Sequence, residues 1–203
     1  AASDVYKRQA KYLAINNKNI AGYDREKTEL TCNLEKIGID ILYDFDINKI
    51  NKSFKNPTKT LVIYTPAISH DNLLFKFFKD LHFTIIKRSD LLASIVNNNF
   101  SIAIAGTHGK TTITAILSHI LSVSNLNYTA FMGGISNENN SNLKCTGDEI
   151  FIVEADEYDR TFLKLKPNII CINNIDGDHF DIYDDYNDLK TSFVQFSKNL
   201  RDE

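Results

Sequence analysis

Two rhythms of apolar residues alternate along this chain. Unbroken runs at Lys59–Tyr64 (KTLVIY), Phe100–Ala105 (FSIAIA), Glu149–Val153 (EIFIV) and Ile169–Ile172 (IICI) predict buried strands. Shorter runs at Asn19–Tyr23, Ile39–Tyr43, Phe83–Ile86 and Tyr128–Phe131 predict further strands. Between them the apolar spacing changes to three and four, the period of a helix with one covered face. Leu30, Leu34 and Ile37 form one such face, closed by Gly38 as a C-cap. Leu73, Leu74, Phe77, Phe78 and Leu81 form a second. Leu91, Leu92, Ile95 and Val96 form a third, with Ser89 placed to N-cap it. Ile113, Ile116, Leu117, Ile120 and Leu121 follow, and then Tyr186, Leu189, Phe193, Phe196 and Leu200. Ala10–Ile15 reads as the tail of a helix, and Ser136–Asn142 as a polar loop. Strands that alternate with helices predict an α/β fold with parallel sheets.

The polar triplet Asn97-Asn98-Asn99 interrupts this alternation and predicts a boundary between residues 1–98 and 99–203. The first part reads as a Rossmann-like, dinucleotide-binding type of parallel-sheet domain. The second reads as the first part of a P-loop-type α/β ATPase domain. At 203 residues the chain has room for two such domains. A net charge of −3 makes no electrostatic case for a nucleic-acid partner. No apolar run reaches the ~20 residues of a membrane span, so membrane insertion is not expected. The three cysteines, Cys32, Cys145 and Cys171, are widely spaced and suit a reducing cytoplasm better than a disulfide framework.

The chemistry concentrates where the strand at Phe100–Ala105 meets the helix after it. Gly106-Thr107-His108-Gly109 makes the turn, and Lys110-Thr111-Thr112 opens the helix. Glycines admit a close approach of backbone N–H groups to phosphates, and the positive end of the helix dipole favours their charge. A lysine here reaches the β/γ-phosphates and a threonine hydroxyl joins a Mg²⁺ shell. The common pattern G-x-x-x-x-G-K-[ST] puts glycine at position 104, where this chain has Ile104. A glycine turn without function is the plain alternative.

Two acidic clusters lie just beyond the next strands. Glu154, Asp156, Glu157 and Asp159 follow Glu149–Val153; Asp176, Asp178, His179 and Asp181 follow Ile169–Ile172. Ligands of open α/β sheets collect at these carboxyl ends of strands. Carboxylates beside a triphosphate repel it unless a cation intervenes. Mg²⁺ needs few protein ligands, so Thr111 and Glu154 suffice for one ion, with His179 at a second. Acid-rich loops are more often simply solvated, and an Asp-His pair is more often a loop anchor than a ligand.

The ordered series GTHGKTT, FMGGI, EADEYDRTFLKLKP and DGDHFDIY resembles the Mur ligase family. The upstream segments GYD, YTPAISHDN and KRSDLL are similar to that family's UDP-substrate domain, so the likeness runs from about Ala10 to Glu203. The resemblance implies ATP-dependent ligation of L-alanine to UDP-N-acetylmuramate through an acyl phosphate, in peptidoglycan precursor synthesis. It implies ATP and Mg²⁺ as cofactors. Gly106, Thr107, His108, Gly109, Lys110, Thr111 and Thr112 would then hold the nucleotide. Lys110, Glu154 and His179 would be catalytic, and Thr111, Glu154 and His179 would be the metal ligands. Asp24, His108, Asp156, Glu157, Asp159 and Asn174 would lie around the muramyl substrate and the reacting groups.

Two departures accompany the likeness. Ala1–Gln9 contain no glycine where the family carries a glycine-rich turn for the UDP diphosphate. The sheet that opens at Phe100 reads as unfinished at Glu203, so the expectation is of a fragment that does not ligate alone. The competing readings are a sister ligase that attaches a preformed peptide to the same muramyl nucleotide, and a non-catalytic nucleotide-binding module.

Overall fold

A computed structural model describes residues 5–69, 71–136, 141–177 and 182–201. The chain divides into two compact units at Leu91/Leu92.

The first unit begins with α1 (Val5–Ile15) and β1 (Ala21–Tyr23). Helix α2 (Glu29–Lys36) follows, then β2 (Asp40–Leu42), β3 (Leu61–Tyr64), α3 (Leu73–Asp80) and β4 (Thr84–Lys87). The start of α2 is fixed by a reciprocal cap in which Thr28 and Thr31 each accept the other's backbone N–H. Gly38 leaves α2 with a φ of +89°, as the C-cap reading expects. The Asn72 side chain accepts the N–H groups of Leu74 and Phe75 and so opens α3.

The strands pair as β1 with β2 and β3 with β4, both parallel. Among the described residues these are two separate two-stranded sheets, where the sequence suggested one continuous sheet. Helix α4 (Arg88–Asn97) runs directly out of β4, and the division between the units falls inside it. Ser89 is therefore an internal residue of α4 and does not cap it. The carboxylate of Asp90 instead receives the N–H of Lys87, so no free turn is left for a serine to occupy.

The second unit is built on β5 (Ser101–Ala105), β6 (Tyr128–Ser136), β7 (Ser141–Cys145), β8 (Ile150–Glu154) and β9 (Ile169–Ile172), in the spatial order β7-β6-β8-β5-β9. Strands β6, β8, β5 and β9 run parallel, and β7 is antiparallel to β6. Helix α5 (Lys110–Val123) connects β5 to β6, a 3₁₀ segment spans Tyr158–Lys164, and α6 (Tyr186–Ser197) follows β9. Strand β5 is an inner strand, between β8 and β9. Its Ile104 lies level with Glu154 of β8 on one side and Cys171 of β9 on the other.

Ile104, Leu121, Tyr128, Ala130 and Ile152 form a buried cluster, with Ile113 and Leu117 packed against it. By strand alternation Phe151 and Val153 point to the opposite face, and they too are fully buried. Phe162 ties the 3₁₀ segment to α6 through edge contact with Phe193 at 5.2 Å and a tilted contact with Phe196 at 4.9 Å.

Two expectations change here. Helix α5 buries Thr114, Ser118 and Leu121, while Ile116 and Ile120 are half exposed. Small side chains let the helix lie close on the sheet, and this turns the bulkier isoleucines outward. Strand β7 occupies part of the supposed Ser136–Asn142 loop. Its sequence SNLKC is that of a polar edge strand, which periodicity does not reveal.

Candidate active site

Strand β5 delivers the chain into a four-residue turn, Gly106 to Gly109, before α5 begins at Lys110. Gly106 has a φ of +136° and Gly109 a φ of +81°, both in the region that favours glycine. A side chain at 106 would meet the backbone of Asn174 at 3.1 Å, and one at 109 would meet the Asn173 amide at 2.9 Å. Ile104 explains the departure from the longer glycine pattern. It is still strand, buried at the core, and its carbonyl accepts the N–H of Ala155. The turn starts two residues later, so the first glycine is needed at 106.

The first turn of α5 carries no acidic residue of its own, and its leading N–H groups turn the positive end of the helix dipole toward the loop. Lys110 folds back over the turn. Its ammonium donates to the Gly106 carbonyl at 2.7 Å and to both oxygens of Glu157 at 2.9 and 2.7 Å. Next to it the Thr111 hydroxyl donates to the Glu154 carboxylate at 3.1 Å, bringing helix start and end of β8 together. Glu154 is packed against Gly133 of β6, where a methyl group would collide with the carboxylate.

The segment after β9 frames the turn. Asn174 accepts the N–H of His108 on its side-chain oxygen at 2.9 Å and that of Thr107 on its backbone carbonyl at 3.2 Å. The Asn173 amide donates to the His108 carbonyl at 3.0 Å. The Thr107 hydroxyl donates to the Asp176 carbonyl and accepts the Asp176 N–H, at 3.2 and 2.9 Å. The His108 ring is exposed, 3.9 Å from the Asp176 carboxylate.

Glu157 is fully buried, and its backbone carbonyl accepts the Tyr183 hydroxyl at 2.6 Å. Burial pushes the Tyr183 phenol up to about 12, so it stays a donor throughout the neutral range. The Arg160 guanidinium lies over the same ring at 5.0 Å.

Of the residues singled out in the sequence, the structure thus brings together Gly106 to Thr111, Glu154, Glu157 and Asn174. Glu157 points at Lys110, a partner that sequence reading did not foresee. Thr112 continues the first turn of α5. Asp156 is exposed and accepts the N–H of Tyr158, a local turn contact. Asp159 lies in the 3₁₀ segment, with its side chain outside the description; Asp178, His179 and Asp181 lie outside the described residues. Asp24 belongs to the first unit, where it pairs with Lys7 at 3.3 Å. Asn173, Gly133 and Tyr183 were missed. The Asn-Asn doublet beyond a buried strand was the available signal for the first, and the FMGGI glycines for the second.

Among the described residues no three His, Cys, Asp or Glu side chains gather as a metal cluster. Thr111 and Glu154 form a pair of hard oxygen donors beside the turn. That pair fits Mg²⁺, which takes few protein ligands and keeps waters or phosphate oxygens for the rest. Among the described residues no helix is long and apolar enough to cross a membrane.

A glycine turn between an inner parallel strand and a helix, with lysine at the helix start and a threonine–carboxylate pair beside it, is the arrangement by which α/β folds can hold phosphates. Residues 104–203 match the Mur ligase middle domain, and residues 6–100 match the Mur ligase family, catalytic domain; the chain belongs to the Mur ligase family. It is similar to the UDP-N-acetylmuramate–L-alanine ligase of Christiangramia forsetii, with 44% identity over 96% of this chain and 43% of that protein. The ligase of the same name from Flavobacterium johnsoniae is 42% identical over the same shares. The chain thus spans less than half the length of these curated relatives.

Among solved structures, the UDP-N-acetylmuramate-alanine ligase of Thermotoga maritima aligns with a TM-score of 0.83 and 28% identity, over 97% of this chain and 45% of that one. A UDP-N-acetylmuramate:L-alanyl-gamma-D-glutamyl-meso-diaminopimelate ligase from Neisseria meningitides shares the fold, with a TM-score of 0.81 at 22% identity, over 97% of this chain and 65% of that one.

Proposed function

We propose that this chain supplies the ATP-binding machinery, within residues 99–203, of a ligase that joins L-alanine to UDP-N-acetylmuramate in peptidoglycan precursor synthesis. Residues 1–98 would serve the UDP substrate, with Asp24 on that side. The work would take place in the cytoplasm. The observation that carries the reading is the meeting of Lys110, Thr111 and Glu154 at one helix start. The names of the relatives at 42–44% identity supply the substrates.

The chemistry follows from charge. The lactyl carboxylate of the muramyl nucleotide attacks the γ-phosphorus of ATP, the bond to ADP breaks, and an acyl phosphate forms. The alanine amine then adds to the acyl carbon, loses a proton, and expels phosphate to leave the amide. Phosphoryl transfer asks the protein for positioning and charge neutralisation more than for a nucleophile. Lys110 provides a mobile cation at the turn. The glycine turn and the start of α5 provide backbone donors, held in shape by Asn173 and Asn174. Thr111 and Glu154, with His179, would hold Mg²⁺, which when bound neutralises phosphate charge. His108, Asp156, Asp159 and Asn174 would lie around the muramyl end and the reacting groups, with Glu157 buried behind Lys110.

The test is phosphate release by a full-length enzyme carrying this chain, given ATP, Mg²⁺ and UDP-N-acetylmuramate, with and without L-alanine. Release that requires both the muramyl nucleotide and L-alanine is the expected result. Release that requires the muramyl nucleotide with a preformed free peptide in place of L-alanine assigns the sister activity, and none with either amine assigns a non-catalytic module.

A further inference from the structure

The ammonium of Lys110 has three protons, and four acceptors lie within their reach: the Gly106 carbonyl, both oxygens of the Glu157 carboxylate and, at 3.5 Å, the Thr107 carbonyl. A phosphate that recruits Lys110 must therefore take it from an existing partner. The two partners of the ion pair differ in freedom. Glu157 is fully buried, and its backbone carbonyl is held by the Tyr183 hydroxyl and by the N–H of Arg160 at 3.0 Å. The Lys110 side chain keeps 16% of its surface exposed, on a flexible four-carbon stem. In an exchange the carboxylate stays and the ammonium moves.

From this we infer that Glu157 is a positioning residue that acts through Lys110. It is a fixed holding point that keeps the lysine folded over the turn, yields it to nucleotide phosphates, and recaptures it as product leaves. The inference rests on the nucleotide-binding reading above and deepens it. The buried carboxylate has two opposing effects. It pre-places the cation close to where it is used, and it lowers the affinity for every nucleotide state by competing for that cation. For an enzyme that must release ADP in each cycle, that competition speeds turnover of the site.

The test measures the ADP dissociation constant and off-rate in a full-length enzyme carrying this chain, at one fixed salt concentration. Glu157→Gln keeps the shape and removes the charge. ADP should bind about tenfold more tightly with a correspondingly slower off-rate, the scale of one partly buried charge contact. A merely structural role would weaken binding or leave it alone, so ADP affinity that falls, or stays within twofold of wild type, overturns the inference.

Should Glu157→Gln fail to fold, Glu157→Asp draws the carboxylate back by one methylene. It should tighten ADP about threefold, and unchanged or weaker binding overturns the inference equally. In a Lys110→Met background, adding Glu157→Gln should change ADP affinity by less than twofold, because the coupling runs through the lysine. An undiminished effect there would mean direct repulsion, and would also overturn it. A wild-type enzyme that binds no ADP at all would instead refute the nucleotide-binding reading itself.

Discussion

The two units use one building rule, strand then helix, with different results. In the first, the described strands of three or four residues pair in twos, and each has at least one exposed position. In the second, β5 and β8 lie inside a five-stranded sheet and are almost wholly buried. The difference shows what a phosphate turn requires. Its glycines sit at positive φ with no room for a side chain, because Asn173 and Asn174 just beyond β9 close on them. A strand flanked on both sides, as β5 is by β8 and β9, brings that closing segment and the Glu154 carboxylate to the same end of the sheet. Amide hydrogen exchange sharpens the contrast, with β5 and β8 expected to exchange far more slowly than β1 and β2. Equal protection in the two units would break it.

The largest effect expected is at the turn. Lys110→Ala in a full-length enzyme should cut turnover by ~10²-fold or more, read as phosphate release. The same substitution takes the ammonium from buried Glu157, so activity should be read beside a melting curve. Turnover near wild type would remove the second unit's claim to the chemistry.

Next comes Phe162→Ala, which empties a fully buried site between Phe193 and Phe196 and should cost about 3–5 kcal/mol in denaturant unfolding. Phe77 of the first unit, only partly buried against Phe78 and Phe83, should cost clearly less on truncation to alanine. Equal losses would say that the first unit is packed as tightly as the second.

Tyr183→Phe takes one of two donors from the Glu157 carbonyl, which keeps the Arg160 N–H, and should cost about 0.5–1.5 kcal/mol. The wild-type phenol also sets an alkaline limit. Its folded pKa, about 12, lies above the ordinary value of 10, so its contribution is complete below pH 10 and is lost as pH rises toward 12. Stability followed by circular dichroism across that window should fall more steeply for wild type than for Tyr183→Phe.

The smallest effect belongs to the first unit's surface. Lys49 holds the exposed Asp44 carboxylate below its usual range, mainly through their hydrogen bond, yet both side chains are more than half exposed. Lys49→Ala should leave the unfolding midpoint unchanged at physiological salt.

Much of this architecture was legible in the sequence because β5, β8 and β9 are unbroken apolar runs and the turn residues have few alternative uses. The Thr111–Glu154 meeting was legible for the same reason: both stand at the ends of readable elements. Other features were not. The Lys110–Glu157 pair joins residues 47 apart whose meeting depends on the path of the short loop between β8 and the 3₁₀ segment, which has no periodic signature. The inward face of α5 was misread because hydrophobicity singles out Ile116 and Ile120, whereas close packing on a sheet selects Thr114 and Ser118. Strand β7 escaped notice because edge strands are made polar.

The frame around the turn has a consequence for synthesis. Gly106 to Gly109 are held in shape by Asn173, Asn174 and Asp176, some 65 to 69 residues further along. A ribosome releases those residues well after the turn itself, and chains fold from the N-terminal side as they emerge. A nascent chain that has exposed only the glycines and Lys110 has the motif without its frame, and nothing yet holds Thr107 and His108 in place. Nucleotide can stabilise only the framed form, so the first moment at which it protects the growing chain comes after β9 has docked beside β5.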